Sequence, residues 1–476
     1  MKQEKVKSIL TLAVILLVGL LTVSAQVQAA EQPAAAPEIG TFHHPTDWME
    51  MGANIRWRWV YGYNLDTLKD DAGGQRGGQW HFTRNRFRWW TKSQLDEDIQ
   101  FNLRLTWEFR TWDNPPRKPQ HTDFDEVMFD HLNFKINNFL GMPMTAVLGR
   151  QDIRLGKGWL IMDATPLDGS RTLYFDAARF TYNFENSKTN LDMIYIDMGA
   201  ASDRWLKPIN DRDRLVTEQD ERAAILYLTD KSNENIQPEA YFIYKNDNPA
   251  DVINPDDIPA VWSKKAEIYT FGGALSGKIS DNLRYRVEGA YQTGKKWAST
   301  DNEQDLRAFG TTDRLDYDFL DENKNNLHVG YEYLSGDDPC TSKIEAFDPL
   351  WGEWPQWSEL YGYTYTLETM PFETTNLHRV WFGHSINLTP KVQLSTDYHY
   401  LWADENTRAN YSHSSGFGFS KNGKTRGQLL TCWLKWTLNK NLKGHLLGEF
   451  FFPGNYYATQ SRDMAYFLRC NIEYTF

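Results

Sequence analysis

From Met49 to the C-terminus the chain alternates apolar and polar residues with a period of two, as strands with one greasy face and one wet face do. In "ANIRWRWVYGY", Ile55, Trp57, Trp59 and Tyr61 share one side, and Asn54, Arg56 and Arg58 the other. "IQFNLRLTWEFR" sets Ile99, Phe101, Leu103, Leu105, Trp107 and Phe109 against Gln100, Asn102, Arg104, Thr106, Glu108 and Arg110. "LRYRVEGAYQ" sets Leu283, Tyr285, Val287 and Tyr291 against Arg284, Arg286, Glu288 and Gln292. In "FTRNRFRWW", Arg84, Arg86 and Arg88 alternate with Asn85, Phe87 and Trp89. A helix would turn alternate residues by roughly 200°, whereas a strand stacks the three arginines on one side.

The pattern predicts eighteen strands: 49–63, 79–94, 98–112, 124–137, 144–154, 173–185, 189–198, 222–229, 236–245, 265–279, 282–295, 306–320, 326–335, 376–388, 391–403, 425–438, 441–452 and 464–476. Short connections such as "LDE", "ENSK", "SDN", "TP" and "NKN" alternate with long ones over 64–78, 113–123, 155–172, 199–221, 246–264, 296–305, 336–375, 404–424 and 453–463. An even number of amphipathic strands with short and long links on opposite ends is the layout of a transmembrane antiparallel β-barrel, with tight periplasmic turns and longer extracellular loops. The last strand fits: Tyr466, Leu468, Cys470, Ile472, Tyr474 and the terminal Phe476 share a face. A soluble sandwich has no reason to keep this parity, and would have to bury every apolar face between sheets.

Sidedness follows from cost. An arginine facing lipid near the bilayer midplane costs roughly 2–4 kcal/mol. Three on one strand would cost roughly 6–12 kcal/mol on that measure, comparable to the stability of a whole domain. Arg84, Arg86 and Arg88 are therefore expected to face a wet interior, with Phe87 and Trp89 toward lipid.

Composition adds an address and a contrast. Lys2, Lys5 and Lys7 precede an apolar run from Ile9 to Val23, and "VQAAE" offers cleavage after Ala29 or Ala30, so residues 1–30 read as a signal peptide. Residues 31–48 read as a flexible periplasmic leader and 49–476 as the barrel domain. Loss of residues 1–30 takes the net charge from −12 to −14, because three lysines and one glutamate leave. Beyond that run no apolar stretch reaches the about 18–20 residues of a membrane helix. Aromatics make up 14% of the chain, including 19 Trp and 24 Tyr, which suits rings anchored at two membrane–water boundaries.

The acid lies largely in the loops, at Asp70, Asp71, Asp211, Asp213, Asp247, Asp251, Asp256, Asp257, Asp337 and Asp338. The inward faces carry Arg56, Arg58, Arg84, Arg86, Arg88, Arg104, Arg110, Arg150, Arg154, Arg179, Arg284, Arg286 and Arg469, with Glu108, Asp152, Glu288 and Glu473 among them. Guanidinium groups grip carboxylates in bidentate fashion, and a bore lined by one sign concentrates the other. The lining predicts a pore for anionic solutes. The alternative is that arginine–acid ladders only brace the wall.

Cys340, Cys432 and Cys470 are too few for a disulfide framework and lack metal spacing. The eleven histidines are scattered, and no phosphate loop occurs, so neither metal, cofactor nor nucleic acid is expected. Gly156 and Gly158 in "LGKGW" read as turn-formers beside an extracellular loop. His413 and Ser415 in "YSHSSG" are spaced in a way reminiscent of outer-membrane phospholipases, but no orienting third group can be assigned, and a solvated loop is the better reading.

An ordered set of stretches resembles the alginate export porin family of the outer membrane. These are "LGRQDIRLGKGWL" (148–160), "SRTLYFDAARFTY" (170–182), "GYEYLSGDDP" (330–339), "EAFDPLW" (345–351), "LSTDYHYLWADE" (394–405) and "GEFFFPGNYY" (448–457). The resemblance runs from about residue 50 to the end. It implies an eighteen-stranded barrel with an arginine-rich pore that conducts acidic polysaccharide outward. It also implies that Arg150 and Arg179 are lumenal and that Ser335–Asp338 lies in an outer loop. The partners it implies are outer-membrane lipids, an acidic polysaccharide or oligosaccharide, a periplasmic export scaffold, and the barrel assembly machinery that reads the strand ending in Phe476. With no long periplasmic connection to plug the bore, gating is expected from the outer loops, above all 336–375 with Trp351, Trp354 and Trp357. A porin for uptake of small anionic sugars is the competing reading.

Overall fold

The computed structural model describes residues 39–476 apart from 66, 70–78, 115–121, 163–173, 186, 201–205, 211–216, 218, 250–264, 300–301, 353–354, 366–367, 370–372 and 407–417, and apart from the side chains of 122–126 and 298–299. The first half of the chain supplies β1 (Met49–Tyr63), β2 (Gln79–Gln94), β3 (Ile99–Asn114), β4 (Thr122–Ile136), β5 (Met144–Gln151), β6 (Phe175–Asn183), β7 (Thr189–Met198), β8 (Gln219–Asp230) and β9 (Gln237–Pro249). The second half supplies β10 (Lys265–Lys278), β11 (Leu283–Ser299), β12 (Asn302–Asp318), β13 (Asn326–Leu334), β14 (Leu377–Thr389), β15 (Val392–Trp402), β16 (Thr425–Thr437), β17 (Leu442–Pro453) and β18 (Ala465–Thr475). Each strand pairs antiparallel with the next, and β18 returns to β1 with Ile472 opposite Trp57. Closure leaves no unpaired sheet edge, which a bilayer would not tolerate. None of the described helices is long and apolar enough to cross a membrane.

The faces divide as the alternation requires. On β1, Ile55 and Trp57 are 47% and 41% exposed on the outside, while Arg56 and Arg58 are 1% and 0% exposed on the inside. Outward Phe87, Trp107, Tyr195, Phe271, Val287, Phe309, Phe382 and Tyr474 continue the apolar belt. At the closing seam the Phe476 amide donates to the Ala53 carbonyl at 2.9 Å, and the Ala53 amide donates to the Phe476 carbonyl oxygen at 2.6 Å. Residues just before β1 lie against this rim: the Met51 amide donates to the His43 carbonyl at 2.9 Å, and Phe42 lies 5.8 Å from Phe476.

Connections at one end run from two to seven residues. At the other end one expected long loop does not exist. Instead of a connection over 296–305, β11 and β12 continue to Ser299 and from Asn302, with Ser299 opposite Asn302. There the hairpin is polar on both faces, with Lys295 ion-paired to Glu303 on one and Lys296 to Asp348 on the other, so past Lys295 no apolar alternation reveals a strand.

The interior has two halves. Toward the long-loop end the inward side chains become apolar, with Val60, Phe82, Trp112, Ile194, Ile196, Met198, Leu401 and Phe451 buried in one cluster. Two loops fold into the barrel and add to that cluster. The first, 152–162, we call the inner loop; it contributes Ile153, Leu155, Leu160 and Ile161. The second, 335–376, we call the strap; it contributes Phe347, Leu350 and a short helix, α1 (Glu359–Thr364). Toward the short-turn end the interior is open.

Candidate functional site

The strand register lines up cations across three neighbouring strands. Arg58 of β1 pairs with Arg84 of β2, which pairs with Arg110 of β3. One step along, Glu473, Arg56, Arg86 and Glu108 form the next row. Like charges directly opposite one another destabilise a sheet unless other groups compensate. Glu108 does so: it accepts from Arg56 Nη2 at 3.0 Å and from Arg84 Nε at 2.6 Å. Arg58 Nε donates to Asn471 at 3.0 Å, and the Arg110 guanidinium lies over the Phe82 and Trp112 rings at 5.5 and 5.0 Å. Arg86 reaches Asn54 at 3.3 Å and Glu473 at 3.7 Å. Lower on the wall, Asp130 accepts from Arg104 at 2.6 Å and stands 3.8 Å from Arg88. Asp152 takes both Arg104 Nη groups at 2.9 Å, together with His131.

This arginine wall is covered. The α1 residue Tyr363 packs edge-on against Trp80 at 4.9 Å. Burial, helped by Glu359, pushes its phenol up to about 12 against the opposing pull of Arg110, Arg84 and Arg58. The ring contact puts α1 on the wall.

The strap is fastened at both sides of the bore. On the β8–β11 side, Asp348 meets Lys296 Nζ at 2.5 Å and exchanges hydrogen bonds with Gln292 at 2.7 and 2.8 Å. Trp351 Nε1 donates to Glu221 at 2.6 Å, and Glu221 also holds the buried Lys245 at 2.9 Å. On the β14–β18 side, Glu359 pairs with Arg469 and Glu368 with Arg426. Glu449 of β17 accepts from the backbone amides of Glu359 and Leu360 at 3.1 and 2.6 Å and from the Ser358 hydroxyl at 3.0 Å. Trp357 stacks over Arg379, 4.6 Å from its guanidinium. Midway, the strap clasps the inner loop: the Trp351 amide donates to the Leu160 carbonyl at 3.0 Å, and Gln356 donates to Lys157 and Gly158 at 3.2 and 2.9 Å. The inner loop makes its tight turn with Gly156 and Gly158 at φ 55° and 75°.

Below the clasp lies a cavity of about 1460 Å³ that extends to the short turns. Among the described residues, eleven lysines and arginines line it against eight aspartates and glutamates, an excess of three positive charges inside a chain of net −12.

The sequence profile of the alginate export family matches residues 47–470. The chain belongs to the alginate export family. Its fold is that of solved outer-membrane porins. Pseudomonas aeruginosa OpdQ is 10% identical with a TM-score of 0.54 over 90% of this chain and 97% of that one. A BenF-like porin from Pseudomonas fluorescens Pf-5 is 11% identical with a TM-score of 0.53 over 90% and 98%. Acinetobacter baumannii OccAB2 is 13% identical with a TM-score of 0.51 over 90% and 98%. No curated protein sequence matches the chain.

In this member of the alginate export family the expected arginines fall into three groups. Arg56, Arg58, Arg84, Arg86, Arg88, Arg104 and Arg110 face inward but pack into the covered wall, and Arg179 faces inward onto Asp192 at 2.8 Å. Arg154, Arg284 and Arg286 line the open cavity together with Arg469. Arg154 does so from the inner loop, because β5 ends at Gln151 rather than at 154.

Arg150 is buried at 4% exposure against the interior cluster and is not part of the apolar belt. It follows Gly149, whose φ of 117° takes the chain out of strict alternation at this point. There Asp176 binds Arg150 through two bonds of 2.9 and 3.1 Å, and the Tyr174 ring lies 3.7 Å from its guanidinium.

Unexpected cavity cations are Lys157, Lys278, Arg314, Lys324, Arg379, Lys435 and Lys443. Parity could have found Arg314, Arg379, Lys435 and Lys443, which sit on inward positions of predicted strands. Of the loop tryptophans, Trp351 and Trp357 lie in the strap, while Trp354 is outside the described residues, as are His413 and Ser415.

Proposed function

We propose that this porin conducts anionic polysaccharide or oligosaccharide, of the polyuronate type, outward across the outer membrane. The observation that carries the reading is the cationic excess of the lumen in an acidic protein of the alginate export family. Fixed guanidinium and ammonium groups in a narrow aqueous bore raise the local concentration of carboxylates and hold each one briefly. The cavity reaches the short turns, which suits a solute arriving from the periplasm. The chain acts as a channel and not as an enzyme. Export through a signal peptide cleaved after Ala29 or Ala30, assembly through the strand ending in Phe476, and delivery by a periplasmic scaffold belong to the same reading.

Uptake of small anionic sugars is the second reading, favoured by the likeness to BenF-like and other outer-membrane porin structures. Planar-bilayer recording separates the two. Current blocked by long polyuronates added on the short-turn side, with neutral glycans of equal length inert, is expected. Free passage of neutral sugars would falsify polyuronate export.

A further inference from the structure

The strap places one carboxylate where a solute's carboxylate would go. Glu359 reaches down from the start of α1 and pairs with Arg469, which lines the open cavity from β18. Around that ion pair stands a cluster drawn from three strands. Arg469 Nε donates to His445 Nε2 at 3.1 Å. His445 meets the Trp433 indole edge-on at 5.0 Å. The Arg469 guanidinium and Lys435 Nζ lie 5.1 and 4.7 Å from the Trp433 ring. All five side chains line the cavity, and Trp433 is only half-buried there.

An indole bordered by cations is matched to a uronic acid. The C–H face of the sugar ring packs on the indole, and the carboxylate goes to guanidinium and ammonium groups. A neutral sugar keeps the first contact and loses the second. We propose that Arg469, His445, Trp433 and Lys435 form a uronate subsite beneath the strap, which Glu359 fills until an anionic glycan displaces it. The proposal rests on the polyuronate reading above and goes further: the solute itself unfastens one end of the strap. Glu449 still holds the α1 amides, so the helix is loosened on one side and not expelled.

The test is block of single-channel current by a defined oligouronate added on the short-turn side, with a neutral oligosaccharide of the same length as control. Removing the competing charge in Glu359→Gln is expected to lower the half-blocking concentration about tenfold, the weight of one charge-assisted contact. Trp433→Ala is expected to raise it by about the same factor, and His445→Gln and Lys435→Gln read the same subsite should the tryptophan variant fail to assemble. Heat-modifiable gel mobility reports assembly in each case. Uronate block in wild type that Glu359→Gln and the subsite variants leave unmoved overturns the subsite alone. A wild-type channel indifferent to every oligouronate overturns it together with the polyuronate reading.

Discussion

A Cβ on Gly352 would lie 1.8 Å from the Trp159 carbonyl oxygen, so strap and inner loop touch backbone to backbone where only glycine fits. Gly352→Ala cannot keep that contact. Overpacking of this kind costs about 1–3 kcal/mol when the surroundings stay put. The clasp is a handful of hydrogen bonds, each with a net worth of about 1 kcal/mol, so the loops are expected to part. The barrel wall does not depend on them. Higher single-channel conductance and faster protease nicking of the strap are the expected outcomes, with heat-modifiable mobility retained. Unaltered conductance would show that the clasp does not set the bore.

The carboxylate of Glu108 joins Arg56 and Arg84 in the covered wall, where all three side chains are nearly inaccessible. Taking one partner from a buried ion pair typically costs about 3–5 kcal/mol, because the remaining charge stays desolvated. Glu108→Gln is expected to lower stability on that scale in urea unfolding from lipid or detergent. The exposed pair Lys92–Glu50, 3.3 Å apart, serves as the comparison, and its loss is expected to cost under about 1 kcal/mol. Equal effects at the two sites would mean that the wall is wetter than its packing implies.

The alternation in the sequence carries the barrel because lipid allows only one kind of outer face, so "ANIRWRWVYGY" fixes both a strand and its sidedness. It fails wherever that constraint lapses. Beyond Lys295 the β11–β12 hairpin is polar on both faces and loses the pattern. Ile194, Ile196 and Met198 on β7 are apolar on the inner face because folded-in loops, not water, meet them. Arg150 follows Gly149 at φ 117°, where alternation stops reporting which way a side chain faces. Inward arginines were legible, but which of them touch solvent was not. That depends on where Asp348, Glu359 and Glu368 anchor the strap, and long-range ion pairs leave no local period.

Selectivity is therefore expected to follow the cavity and not the arginine wall. Arg284, Arg314, Lys435 and Lys443 are exposed on the lining. Arg84, Arg86 and Arg88 are buried. Neutralising the first four to Gln is expected to move the reversal potential in a salt gradient toward that of a non-selective channel. The triple change Arg84→Ala, Arg86→Ala and Arg88→Ala is expected to act mainly on unfolding. Greater loss of anion preference in the triple variant than in the quadruple one would place the ion path along β2.

Acid is expected to unfasten the other end of the strap. Burial alone would raise the Asp348 carboxyl, but the Lys296 and Lys245 ammonium groups outweigh it and hold the carboxyl well below the usual carboxylate range. A group depressed in the folded state adds stability above its unfolded pKa of about 3.9 and loses it as pH falls through the folded value. The latch is thus fully made at neutral pH and weakens below pH about 4. Conductance and strap proteolysis should rise over that acid range. In Lys296→Met the principal opposing charge is gone, burial gains weight, and the rise should begin at higher pH. Identical acid profiles for wild type and Lys296→Met would show that the ion pair between Asp348 and Lys296 is not what holds the strap across the bore.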